Sequence, residues 1–209
     1  NTCYFEPFKG KAERPMILNL ESGGFMKLAP NRFDAEFDAQ SEKPGEQRLE
    51  KMVSGRYMGE LFGMAIAELL GEKGKKYGFT SIDMSNIILD ETAGLSEVGR
   101  IVSAKTGHDL EEVDRQRLQE LASALVVRSA RLVTATYVGI IWQLAGDEAI
   151  KKQHIAIDGS VYEKMPLAKE NIMRALSELL GESAPLVDTV LENGGSGLGA
   201  AIAAAMSQQ

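Results

Sequence analysis

The carboxy-terminal third of the chain constrains the fold most. The run His154-Ile155-Ala156-Ile157-Asp158 is short and apolar and stops at Gly159-Ser160, as a buried strand and its turn do. Residues Pro166 to Leu180 carry apolar side chains at helical spacing and end at Gly181, a common helix stop. Leu186 to Leu191 is again apolar and β-branched, Asn193 to Gly197 is a glycine-rich loop, and Leu198 to Met206 is an alanine-rich helix. Strand, helix, strand, helix is the alternation of a layered α/β domain, in which ligands gather at the carboxyl ends of strands.

The rest of the chain extends this frame. Cys3 to Pro7 and residues 15–28 read as three strands, turning at Lys9 to Arg14 and at Ser22-Gly23-Gly24. Pro44-Gly45 opens a helix to about Leu70, with Leu49, Met52, Val53, Tyr57, Leu61, Met64, Ala65 and Leu69 near one face. Residues 78–108 hold short elements, with Thr80 and Ser96 as candidate caps. One long helix spans about Asp109 to Ala145. Its second half is apolar nearly all round, which predicts a path through a core and places Trp142 inside it. Residues 1–209 then make a single α/β domain. A mixed five-stranded sheet carries helices on both faces, and a helical insertion covers about 72–108.

Charge narrows the partners. The net charge of −7 and the absence of a Lys/Arg block argue against nucleic acid or an anionic membrane surface. Leu132 to Leu144 is the most apolar stretch, but Thr134, Thr136 and Gln143 interrupt it, and a span needs roughly 20 apolar residues. A single cysteine, Cys3, excludes a disulfide framework and favours a reducing, cytoplasmic setting. The first residue is Asn1 rather than Met, which suggests a segment of something longer. His108 and His154 have no Cys or His at ligand spacing, so no zinc-type site is expected.

Two patterns carry candidate chemistry. Gly194-Gly195-Ser196-Gly197-Leu198-Gly199 joins a strand to a helix, where bare backbone can approach a phosphate or adenosine. It lacks the Lys-Ser/Thr pair of a P-loop and the downstream acid of a dinucleotide fingerprint. Glu50 lies four residues from Glu46 and three from Gln47, on one face of the expected helix. Carboxylates near a helix start can accept hydrogen bonds from sugar hydroxyls; a solvated charged face is the plain alternative. Glu21 is a third carboxylate of interest, placed at a strand end before Ser22-Gly23-Gly24.

Taken in order, six segments resemble the hexokinase family. They are NTCYFEP, LNLESGGF, EKPGEQRLEKMVSGRYMGE, VVRSARLVTATYVGI, IAIDGSVYEKMP and LENGGSGLGAAIAAA, and together they span nearly the whole chain. The resemblance implies a ribonuclease H-like, actin-like ATPase domain. It implies transfer of the γ-phosphoryl of ATP, with Mg2+ held through the nucleotide and not by this chain, to the 6-hydroxyl of glucose or a similar hexose. Asn1, Glu21 and Glu50 match family residues that bind the sugar, and Gln47 shares their segment. Gly55 and Arg56 match positions beside the nucleotide. Asp158 and Gly159, with Gly195, Ser196 and Gly197, match the adenosine and phosphate elements.

The match has departures. Ser22-Gly23 stand where the family has an aromatic and a glycine, Leu198 where it often has a basic residue, and Met165 where it often has His. In the family the catalytic aspartate, a sugar-binding lysine and asparagine, and the first phosphate loop precede the segment matched here. The catalytic base and a smaller amino-terminal domain are therefore expected upstream of Asn1. Asp34, Asp38 and Asp90 are not assigned to that role.

Overall fold

The computed structural model describes residues 2–6 and 16–192, together with Gly194, Gly195, Gly197, Gly199, Ala201 and Ala205. Two of the expected site residues, Asn1 and Ser196, lie outside the described residues.

Strands β1 (Cys3–Glu6) and β2 (Met16–Asn19) pair antiparallel, with Cys3 opposite Asn19. A tight 3-10 turn, Ser22–Gly24, follows. Helices α1 (Arg32–Gln40), α2 (Arg48–Val53), α3 (Gly55–Leu69), α4 (Ser81–Ile88), α5 (Ser96–Thr106) and α6 (Glu112–Ala145) come next. Strand β3 (Gln153–Ile157), helices α7 (Ser160–Lys164) and α8 (Ala168–Leu180), and strand β4 (Val187–Leu191) complete the frame. β3 and β4 are parallel neighbours, with Ile157 opposite Leu191.

Helix α6 is the spine. By length and composition alone it could cross a membrane. Here its buried residues, from Leu118 through Val126 and Thr134 to Ile141, pack against α2, α4 and α8. Its first half closes a core with Met58, Phe62, Ile66, Met84, Ile87 and Val98; its second half closes another with Ile157, Ile172, Leu176 and Val187.

The strand, helix, strand part of the carboxy-terminal alternation holds, the helix expected from Leu198 to Met206 lies largely outside the described residues, and five details of the rest change. Phe25–Leu28 is not a strand: the Arg48 guanidinium donates to the carbonyls of Met26 and Leu28, so a side chain takes the place of a strand partner. The strands among the described residues form two separate two-stranded sheets, not one five-stranded sheet. The helix expected from Pro44 to Leu70 begins at Arg48 and breaks at Ser54, whose backbone is extended; Ser129 Oγ donates to the freed Val53 carbonyl at 2.9 Å. Helix α1 was not anticipated. It has little apolar periodicity and starts with a reciprocal Asn31–Asp34 capping box. Trp142 is not core but 55% exposed, because the buried stripe of α6 runs through Thr134, Val138 and Ile141 and leaves the next position on the flank.

Thr80 caps α4 as expected, with Asp83 returning the bond. Ser96 does not cap α5. Its own N–H donates to Thr92 Oγ1, while the buried Asp90 carboxylate accepts from Thr92 and from the Val98 N–H at 2.8 Å. Burial alone would raise the pKa of Asp90, but these donors outweigh it and leave the group below the ordinary carboxylate range. A depressed native pKa gives stability that is present above the unfolded value and is lost as pH falls through the native one. We expect unfolding free energy, measured in urea, to decline below about pH 4. Asp90→Ala should cost about 2–3 kcal/mol at neutral pH and flatten that decline.

Candidate binding site

Glu21 stands at the end of β2 with a left-handed backbone (φ 46°), which is uncommon for a residue with a Cβ. Asn19 Nδ2 donates to Glu21 Oε1 at 2.7 Å and aims the carboxylate; Thr2 and Ser22 join their hydroxyls at 2.8 Å behind it. The turn after Glu21 lies directly on α2. A Cβ at Gly23 would stand 2.9 Å from Gln47 Oε1 and 3.2 Å from Glu50 Cβ. Gln47, just before α2, is also left-handed (φ 52°), and Glu50 is exposed in the first turn of α2.

Glu21, Gln47 and Glu50 are thus gathered by one turn seated on one helix start. Local strain in two of them is the pattern found where function fixes the backbone. The helical spacing that first grouped Gln47 with Glu50 does not apply, since α2 starts after Gln47. Their proximity comes from the glycine turn. Glu46 is exposed and turns to Lys43, 3.9 Å away. Replacing Gly23 by alanine should push Gln47 and Glu50 outward and impair ligand binding at this site, with a much smaller effect on the thermal midpoint. Calorimetric titration beside a melting curve would check the split.

A second group of expected residues meets around the start of α3. A Cβ at Gly55 would lie 2.9 Å from Val161 Cγ2 and 3.6 Å from Ser81 Cβ, so the starts of α3, α4 and α7 converge there. Asp158 and Gly159 lead directly into α7 and are exposed. The Glu192 N–H donates to the Ile157 carbonyl at 2.9 Å, which carries the β3–β4 pairing one step past β4. The glycine-rich loop therefore leaves the sheet beside Asp158, with Gly194 left-handed and Gly195 half-buried. Gly197 is exposed and helical.

Arg56 projects from the start of α3, is exposed, and lies 3.9 Å from Glu60. It shares a groove of about 740 Å³ with Gln47, Lys51, Tyr57, Thr80 and Ser81. The groove lies along α3, from Gln47 and the 41–47 loop to residues 75–81. The sequence reading treated Thr80 and Ser81 only as a helix start. The available signal was the four-residue spacing of Gly55, Gly59 and Gly63, a smooth face of α3 along which residues 79–81 lie.

The three aspartates left unassigned are engaged elsewhere. Asp34 receives Arg128 Nη1 at 2.9 and 3.0 Å, Asp38 receives Lys51, and Asp90 holds the start of α5. Among the described residues, no three His, Cys, Asp or Glu side chains are grouped to hold a metal ion.

Parallel strands β3 and β4 with a glycine-rich segment beyond β4, helices packed beside them and a groove lined by Gln47 and Arg56 make this an α/β domain. A solved hexokinase structure superposes with a TM-score of 0.73 over 90% of this chain and 44% of its own, at 25% identity. The hexokinase family profile matches residues 1–206. This chain belongs to the hexokinase family. Hexokinase-2 of Candida albicans is 32% identical over 94% of the chain, and Hexokinase-7 of Oryza sativa subsp. japonica 35% over 93%. The chain spans 44% and 46% of those relatives' lengths.

Proposed function

We propose that this chain supplies the sugar- and nucleotide-binding face of an ATP-dependent hexokinase acting on glucose or a related hexose. The observation that carries the reading is the seating of the Ser22–Gly24 turn, which follows Glu21, on Gln47 and Glu50 at the start of α2, with Gln47 lining the groove that Arg56 also lines.

The chemistry follows from the groups present. Carboxylates accept hydrogen bonds from hydroxyls, and several converging on one ring fix its orientation. Asn1 would be a further sugar contact on the strength of the family match. Gly55, Arg56, Thr80 and Ser81 form one wall for the nucleotide. Asp158, Gly159, Gly195 and Gly197 form the other, at the strand ends, and Ser196 would join them on the strength of the family match. Mg2+ bound to ATP would supply the charge that neutralises the transferred phosphoryl, and no side chain of this chain is assigned to hold it. Arg56 adds a fixed positive charge near that path.

Phosphoryl transfer also needs a carboxylate to take the proton of the attacking hydroxyl. We assign none on this chain; the base is proposed to come from the part of the relatives' length that this chain does not span. The test compares the 209-residue chain with the product of its complete reading frame, using hexoses and Mg-ATP. Hexose binding by the chain with negligible turnover, and phosphorylation by the complete product, is the expected result. Nucleotide binding without any hexose dependence in the complete product would overturn the reading in favour of another actin-like ATPase.

A further inference from the structure

Lys51 is the most buried lysine at the site, 6% exposed, and directly follows Glu50. Its ammonium donates to Asp38 Oδ1 at 2.5 Å and to the Lys43 carbonyl at 2.6 Å. The other oxygen of Asp38 accepts the Gly45 N–H at 2.9 Å. One carboxylate thus closes the 41–47 loop from both sides, joining the end of α1 to α2. Gly45 is left-handed (φ 78°), and two residues later Gln47 enters its own left-handed conformation. The Gln47 carbonyl then accepts the Lys51 N–H at 3.0 Å. On the opposite side Arg48 holds the chain that follows Gly24.

A half-buried ion pair adds little to stability, since desolvation, greatest here for Lys51, offsets much of the attraction. Its value lies in geometry: only one loop conformation satisfies all four partners. The hydrogen bond from Lys51, the largest influence on Asp38, holds the carboxyl below its ordinary range and keeps it charged at neutral pH.

We propose that Asp38 and Lys51 are a positioning pair that sets Gln47 and Glu50 for the hexose. They act through the 41–47 loop and not by hydrogen-bonding the hexose, because Asp38 and the Lys43 carbonyl already engage the Lys51 ammonium. This rests on the reading of Glu50 as a sugar contact.

The test uses the protein from its complete reading frame, with glucose and ATP affinities measured by calorimetry. Asp38→Asn should raise the glucose Kd by about tenfold while the ATP Kd stays within about twofold, and Lys51→Met should raise the glucose Kd to a similar extent. In a Glu50→Gln background Asp38→Asn should change the glucose Kd by less than about threefold, because the group it positions is already impaired. If Lys51→Met fails to fold, Asp38→Glu, which keeps the charge but shifts it by one methylene, should show the same selective loss. Glucose and ATP affinities falling together would show a merely structural pair and overturn the proposal. An unchanged glucose Kd in folded Asp38→Asn, with Glu50→Gln impaired, would overturn it alone. An unchanged Kd in Glu50→Gln would instead remove the sugar-contact reading beneath it.

Discussion

Gly59→Ala is expected to destabilise the protein by about 3 kcal/mol or more, near the upper end of overpacking costs. A Cβ at Gly59 would stand 2.6 Å from the Phe79 carbonyl oxygen and 2.8 Å from two Thr80 backbone atoms. The obstacle is backbone, so no rotamer change relieves it. Shifting residues 79–80 would drag Phe79 from its edge contact with Phe62 and move the Thr80 cap of α4. For a chain of this size the thermal midpoint should fall by roughly 10 °C. ATP affinity should fall with it, because Thr80 and Ser81 line the groove. A drop of under about 3 °C in a melting experiment would show that the segment yields easily, and the close approach would then have no energetic weight.

Glu50→Gln should behave in the opposite way. Glu50 is exposed, so its amide isostere should leave stability within about 0.5 kcal/mol. Glucose binding should weaken by about 1.5–3 kcal/mol, the worth of a hydrogen bond to a charged group. Calorimetric titration of both forms with glucose, at matched ATP, measures the difference. Unchanged affinity with an intact melting curve would remove Glu50 from the site. The two substitutions separate the scaffold from the ligand contact: Gly59 acts through packing and Glu50 through charge.

Legibility in the sequence followed the range of the interactions. The β3–α8–β4 alternation and the long α6 were readable because strand and helix periods, apolar runs and glycine stops are local signals. The order of the motifs likewise identified the family, which the whole-chain match bears out. The break at Ser54 was hidden because Ser129, far along the chain, takes the Val53 carbonyl. That Phe25–Leu28 joins no sheet was hidden because Arg48 supplies its partner. Trp142 misled because composition near the end of α6 is apolar all round, whereas only one stripe meets another element.

The site divides in the same way. Glu21, Gln47 and Glu50 were readable as residues of the right type in strings with a family likeness, and Gly55 and Gly195 as backbone left bare. Their convergence was not. The Ser22–Gly24 turn reaches α2 because Gly23 has no side chain, and Ser81 and Val161 reach α3 at Gly55 for the same reason. By itself the sequence determined the elements with strong local periods, the family and the identity of the polar groups, all of which depend on neighbours within a few turns. Tertiary structure alone decided which of those groups face one another, because that depends on backbone approaches and half-buried pairs, such as Lys51 with Asp38, between segments that packing brings together.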